Sequence, residues 1–158
     1  MISKLFMSLC LLIGLSAVMT TNAQIASGTT LEANIPHSFI VKDTTLPAGK
    51  YTIRVVEDAA DLNLLEIRSV DRRTAVFFET ESVHLNDRAR DTELVFDKLG
   101  DNYFLSRVFL SGDESGGQLP KSKMQRKLED GGMTAETHSI AASKKAAKQS
   151  GQSAKKGS

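Results

Sequence analysis

Over residues 29–110 apolar and polar positions alternate in short runs broken by turn residues, and no run carries the three-to-four-residue spacing of an amphipathic helix. Thr30–Ile35 and Phe39–Val41 read as strands on either side of Pro36, which lacks an N–H and so belongs at a sheet edge or a break. Leu46-Pro47-Ala48-Gly49 suits a type I turn, because proline already holds the φ that its second position requires. Strict alternation at 51–55 predicts a strand with one buried face, and further strands are expected at 62–70 and 74–85.

The clearest hairpin surrounds Gly100-Asp101, where glycine in the first of two central positions fits a type II′ turn. That turn sets Phe96 opposite Leu105, Asp97 opposite Phe104 and Lys98 opposite Tyr103. One face then carries Leu94, Phe96, Tyr103, Leu105 and Phe109, and the other Val95, Leu99, Phe104, Val108 and Leu110, so both faces must be covered. Gly116-Gly117 reads as a flexible connection, followed by a short polar helix within 121–130 with Ser122 as its N-cap. The expected fold is all-β: a single antiparallel β-sandwich or barrel of about seven or eight short strands, with a short C-terminal helix.

The N-terminus has a different pattern. Lys4 precedes an apolar run at 5–19, and Thr21-Asn22-Ala23 supplies small residues before Gln24, the layout of a cleavable signal peptide. The run is shorter than the roughly 20 residues that span a bilayer, and no second one follows it. The chain therefore divides into a signal peptide (1–23), an all-β domain (24–130) and a tail (131–158). The mature protein is expected to be exported to the periplasm or beyond, without a transmembrane segment. Cys10, the only cysteine, leaves with the signal, so no disulfide is expected; Leu9 before it is unlike the small residue that precedes a lipid-bearing cysteine.

The net charge of +1 conceals an asymmetry: residues 24–130 hold 14 basic against 18 acidic side chains, and residues 131–158 hold 5 against 1. The tail is rich in Ala, Lys, Ser, Gln and Gly, and only Met133 and Ile140 have much apolar surface to offset the cost of ordering. It is expected to be disordered, and its removal to leave the melting temperature almost unchanged. The acidic body offers no second cationic face at this level of reading. Lys144, Lys145, Lys148, Lys155 and Lys156 are thus the candidate surface-binding residues, for weak attraction to anionic cell-envelope material. Without interleaved aromatics they lack the stacking platform of a single-strand nucleic-acid binder, and no nucleic-acid partner is expected.

Ile35-Pro36-His37-Ser38-Phe39-Ile40-Val41, Leu46-Pro47-Ala48-Gly49-Lys50-Tyr51-Thr52, Leu94-Val95-Phe96 with Gly100-Asp101-Asn102-Tyr103-Phe104-Leu105, and Leu119-Pro120-Lys121-Ser122-Lys123 occur in that order. In these segments, across roughly residues 35–128, the chain resembles a family of small exported proteins of uncharacterised function from soil bacteria. The resemblance implies export and carries no reaction, ligand or partner. His37 stands where the family usually has an aromatic residue, and Asp97 where a histidine or another polar residue is common.

Candidate chemistry is sparse. His37, His84 and His138 lack metal-ligand spacing, and neither a GxSxG nucleophile motif nor a phosphate-cradling glycine loop occurs. No catalytic residue, cofactor or metal is assigned. The expectation is a non-enzymatic β module that binds or assembles at the cell envelope. The alternatives are a periplasmic ligand carrier with an apolar pocket, and a small hydrolase built on Glu79, Glu81 or Asp97.

Overall fold

A computed structural model describes residues 29–56 and 63–145. The expected signal peptide (1–23), the start of the strand expected at 62–70, and positions 146–158 lie outside the described residues. The chain forms a nearly closed, mostly β barrel whose path of hydrogen-bonded neighbours runs through nine of eleven strands.

One wall consists of β1 (Thr30–Ile35), β4 (Gly49–Val55), β5 (Leu64–Ser69) and β6 (Ala75–Glu79), paired antiparallel in that order. The opposite wall is built on the hairpin of β8 (Glu93–Leu99) and β9 (Asn102–Phe109). The free edge of β9 takes β2 (Phe39–Val41) near Phe104 and β10 (Ser115–Gln118) near Val108. The small hairpin partner β3 (Thr44–Leu46) joins β2, and β7 (Glu81–His84) joins β10. The β2–β9 pair is parallel, so the expectation of an all-antiparallel sheet holds everywhere except there.

Two corners join the walls. At buried Thr80 the strand expected over 74–85 breaks into β6 and β7, one in each wall, and the Thr80 N–H donates to the Asn63 carbonyl at 3.1 Å. The other corner is β11 (Glu136–Lys145), which pairs with β8 through residues 136–141 and with β1 through residues 142–145. This corrects the expectation of a tail that is free from residue 131 onward. A strand hydrogen-bonded along its whole length, first to β8 and then to β1, is held by its backbone, so small side chains suffice, and only His138, Ile140 and Ala142 alternate inward.

The strand count exceeds the expected seven or eight for similar local reasons. Gly116-Gly117 is not a flexible link: it lies in β10, where a Cβ on Gly116 would overlap the Phe109 ring and come within 2.7 Å of the Val108 carbonyl oxygen. Glycine there permits close approach of the backbone to its neighbours.

The β8–β9 hairpin keeps the expected partners: Phe96 faces Leu105, Asp97 faces Phe104 and Lys98 faces Tyr103, across a two-residue turn with Gly100 at φ 60°. Beyond them a bulge inserts Ser106, because Val95 pairs with Arg107. One extra residue inverts the alternation, so Val108 and Leu110 join Leu94, Phe96 and Leu105 in the barrel core, while Phe109 lies over Gly116. The bulge hydroxyl is satisfied by the Val95 carbonyl at 3.1 Å.

The outer face of the hairpin is also covered, as expected. Leu99 and Phe104 gather with Ile40 under Leu128 of α1 (Lys123–Asp130), whose N-cap Ser122 accepts the Gln125 N–H at 3.0 Å. Inside the barrel Phe39, Tyr51, Phe78 and Phe96 fill the space between the walls, with the Phe39 ring edge-on to both Tyr51 and Phe96. The Tyr51 hydroxyl donates to the Pro47 carbonyl at 2.7 Å and ties the Leu46-Pro47-Ala48-Gly49 segment to the core.

Candidate functional site on the outer face of the first wall

Alternation along β4 and β5 sends Ile53, Val55, Leu65 and Ile67 inward and leaves Thr52, Arg54, Glu66 and Arg68 on the outside. Strand register lines up the outer residues. Lys145 stands beside Thr30, Thr30 beside Arg54, Arg54 beside Glu66, and Glu66 beside Phe77, one lateral stripe across five strands. A second row runs parallel to it through Ser143, Glu32, Thr52, Arg68 and Ala75.

At its centre the Glu66 carboxylate, 1 % exposed, is held from both sides: Arg54 Nε donates to Oε2 at 2.8 Å, and an Arg68 terminal nitrogen donates to Oε1. Burial pushes the Glu66 carboxyl up, but the hydrogen bonds and charges of Arg68 and Arg54 outweigh it and hold the group below the usual glutamate range. The Arg54 and Arg68 side chains are 49 % and 39 % exposed, so one anchored anion fixes two cationic side chains that are only partly buried.

Arg72 comes from the β5–β6 turn. Its φ of 61° is a left-handed conformation, costing a non-glycine residue about 1–2 kcal/mol. Three hydrogen bonds hold the turn: the Arg72 N–H donates to the Ser69 carbonyl at 2.8 Å, and Asp71 accepts the Ser69 hydroxyl at 2.5 Å and the Arg73 N–H at 3.2 Å. Those two bonds to Asp71, the hydroxyl's first, keep its carboxyl below the usual aspartate range. Lys145 closes the other side and pairs with Glu32 at 2.6 Å. Arg54, Arg68, Arg72 and Lys145 line a groove of about 510 Å³ floored by Thr52 and Ser69. With Glu32 on its wall and Glu66 beneath, four cations face two anions, a local excess of positive charge on an acidic body.

This arrangement corrects the expectation that the body lacks a cationic face. Of the five candidate lysines, Lys145 joins the arginines. Lys144, opposite Leu31, takes the other face of β11 at the barrel rim, and Lys148, Lys155 and Lys156 lie outside the described residues. The arginines were missed because they sit 14 and 18 residues apart along the chain from Arg54; the available signal was their outward parity on strands that pair as neighbours.

The candidate hydrolytic carboxylates have other settings. Glu79 and Glu81 are both exposed and flank the Thr80 corner, Glu79 opposite Leu64 in one wall and Glu81 opposite Gln118 in the other. Asp97 accepts Gln125 Nε2 at 3.0 Å and lies 3.1 Å from the Ser106 hydroxyl, fastening α1 to the hairpin. Two histidines separated in sequence share one neighbour: His37 stacks on Tyr103 with centroids 3.6 Å apart, and His138 meets the same ring edge-on at 5.5 Å. Among the described residues no three His, Cys, Asp or Glu side chains are grouped so as to hold a metal ion.

Glu66→Gln should cost about 1–3 kcal/mol at neutral pH, less than the ~3–5 kcal/mol for breaking a fully buried pair, because water can solvate the released arginines. A carboxyl depressed in the folded state stabilises it fully above the unfolded pKa of about 4.3, and that contribution is lost as pH falls through the folded value. Denaturant midpoints of parent and variant should therefore differ at pH 7 and converge in acid.

In comparisons with known proteins, no family model, curated protein or solved structure matches this chain.

Proposed function

We propose that this chain is an exported, non-enzymatic β module that binds anionic material of the cell envelope through the groove of Arg54, Arg68, Arg72 and Lys145. The observation that carries the reading is the convergence of those four cations, from three strands and a turn, on one outer face. Glu66 supports it by holding two guanidiniums in place before any ligand arrives, which lowers the entropic cost of engaging one. Lys148, Lys155 and Lys156 follow Lys145 in the sequence and add charge to the same end of the chain. Among the described residues Phe39, Tyr51, Phe78 and Phe96 are buried between the walls, which favours an external contact over a ligand carried inside.

Export predicts that the protein recovered outside the cytoplasm begins at Gln24, or within a residue or two of it. A full-length chain retained in carbonate-washed membranes would contradict that. Binding should be tested by sedimentation with cell-wall fragments and with anionic vesicles at low and high salt. Exposed charges are screened over about 8 Å at physiological ionic strength, so binding should fade as salt rises. Arg72→Glu and Lys145→Glu, at exposed positions, should each weaken it and leave the melting temperature nearly unchanged. Binding indifferent to salt and to both substitutions would remove the groove from the account.

A further inference from the structure

The stripe that contains the groove has a second kind of residue at its far end. Phe77, directly opposite Glu66, is 51 % exposed although it lies in the middle of β6. Its neighbours on the strand behave differently: Phe78 is fully buried and Val76 packs against the core. A large aromatic side chain left half in water adds little to folding, and it offers a flat apolar face on the strand beside Glu66, which holds the two guanidiniums.

Resting on the reading above, we propose that the ligand is an acidic polysaccharide, a chain of sugar rings bearing carboxylates. Three of the four cations are arginines, whose planar forks match a carboxylate in two-point contact, whereas a lysine offers a point charge. Arg54 uses only Nε on Glu66 and Arg68 only one terminal nitrogen, so each keeps donors for an incoming carboxylate. The Phe77 ring can receive the apolar face of a sugar, and the hydroxyls of Thr30, between Lys145 and Arg54 in the register, and of Thr52, beside Arg68, suit its hydroxyl groups. From Lys145 to Phe77 the stripe crosses four inter-strand spacings, roughly 19 Å at about 4.8 Å each, enough for several sugar units laid across the strands. A groove lined mostly by polar and charged side chains, with an exposed aromatic on the next strand beyond it, fits a polymer strand better than the flat surface of a bilayer, which favours an exposed apolar helix face bordered by lysines.

The test titrates the exported protein, by calorimetry, with polygalacturonate, with uncharged dextran and with phosphatidylglycerol vesicles, in parent, Arg72→Glu and Phe77→Ala forms whose melting is checked first. Polygalacturonate should bind and dextran should not. Arg72→Glu should weaken polygalacturonate about tenfold through lost charge complementarity. Phe77→Ala should weaken it severalfold without changing the salt dependence. Vesicles bound in preference to polygalacturonate would overturn the polysaccharide and leave the anionic-envelope reading standing, and failure to bind either would overturn both. Polygalacturonate binding untouched by both substitutions would place it elsewhere on the protein and overturn the inference.

Discussion

A chain ending at Asp130 is expected to show no cooperative unfolding transition, because it lacks β11. Six residues of that strand pair with β8 and four with β1, and no other described strand spans both walls. With a net value of about 1 kcal/mol per hydrogen bond, the lost ladder alone approaches the ~5–15 kcal/mol that stabilises a domain of this size. The loss also opens two sheet edges and uncovers the core beneath Ile140 and Ala142. Circular dichroism during heating checks this, with a chain ending at Ala146 as the comparison that keeps β11. A sharp transition near the parental temperature in the shorter chain would show that the barrel holds without its closing strand.

Phe96→Ala should lower stability by about 3–5 kcal/mol, the range for removing a buried aromatic that neighbours cannot replace. Phe96 is fully buried, its ring is edge-on to Phe39 and His37, and its strand is clamped between β9 and β11. Little collapse into the cavity is available there. Phe77→Ala, a similar deletion at a half-exposed position, should fall within about 0.5 kcal/mol of the parent. Urea denaturation of the three proteins at one pH compares them; equal midpoints would mean that Phe96 does not sit in the core.

Local patterning accounts for what could be read before the structure was known. Gly100 fixed the hairpin because only a residue free to adopt positive φ fits that turn, and the partners of Phe96, Asp97 and Lys98 followed by counting. Ser122 capped its helix for an equally local reason. The inversion at Ser106 was not readable, since a bulge leaves its trace in pairing rather than in composition. Strand β11 escaped because Ala, Ser and Lys are poor strand formers, and its order comes from two neighbouring edges that no local window contains. The cationic groove escaped for the same reason: Arg54, Arg68 and Lys145 become neighbours only through the β5–β4–β1–β11 register. The charge count of the body pointed away from it, because a total does not show that three of its eight arginines line one groove.

The groove depends on the C-terminal segment being a strand of the barrel that brings Lys145 to the arginine face. Amide hydrogen exchange across residues 136–145 tests that most directly. Paired with β8 through residues 136–141 and with β1 through residues 142–145, the hydrogen-bonded amides of this segment should exchange as slowly as those of β8 and β1. Exchange at the rate of an unstructured chain, while β8 and β1 remain protected, would contradict the closing role of β11 and with it the composition of the groove.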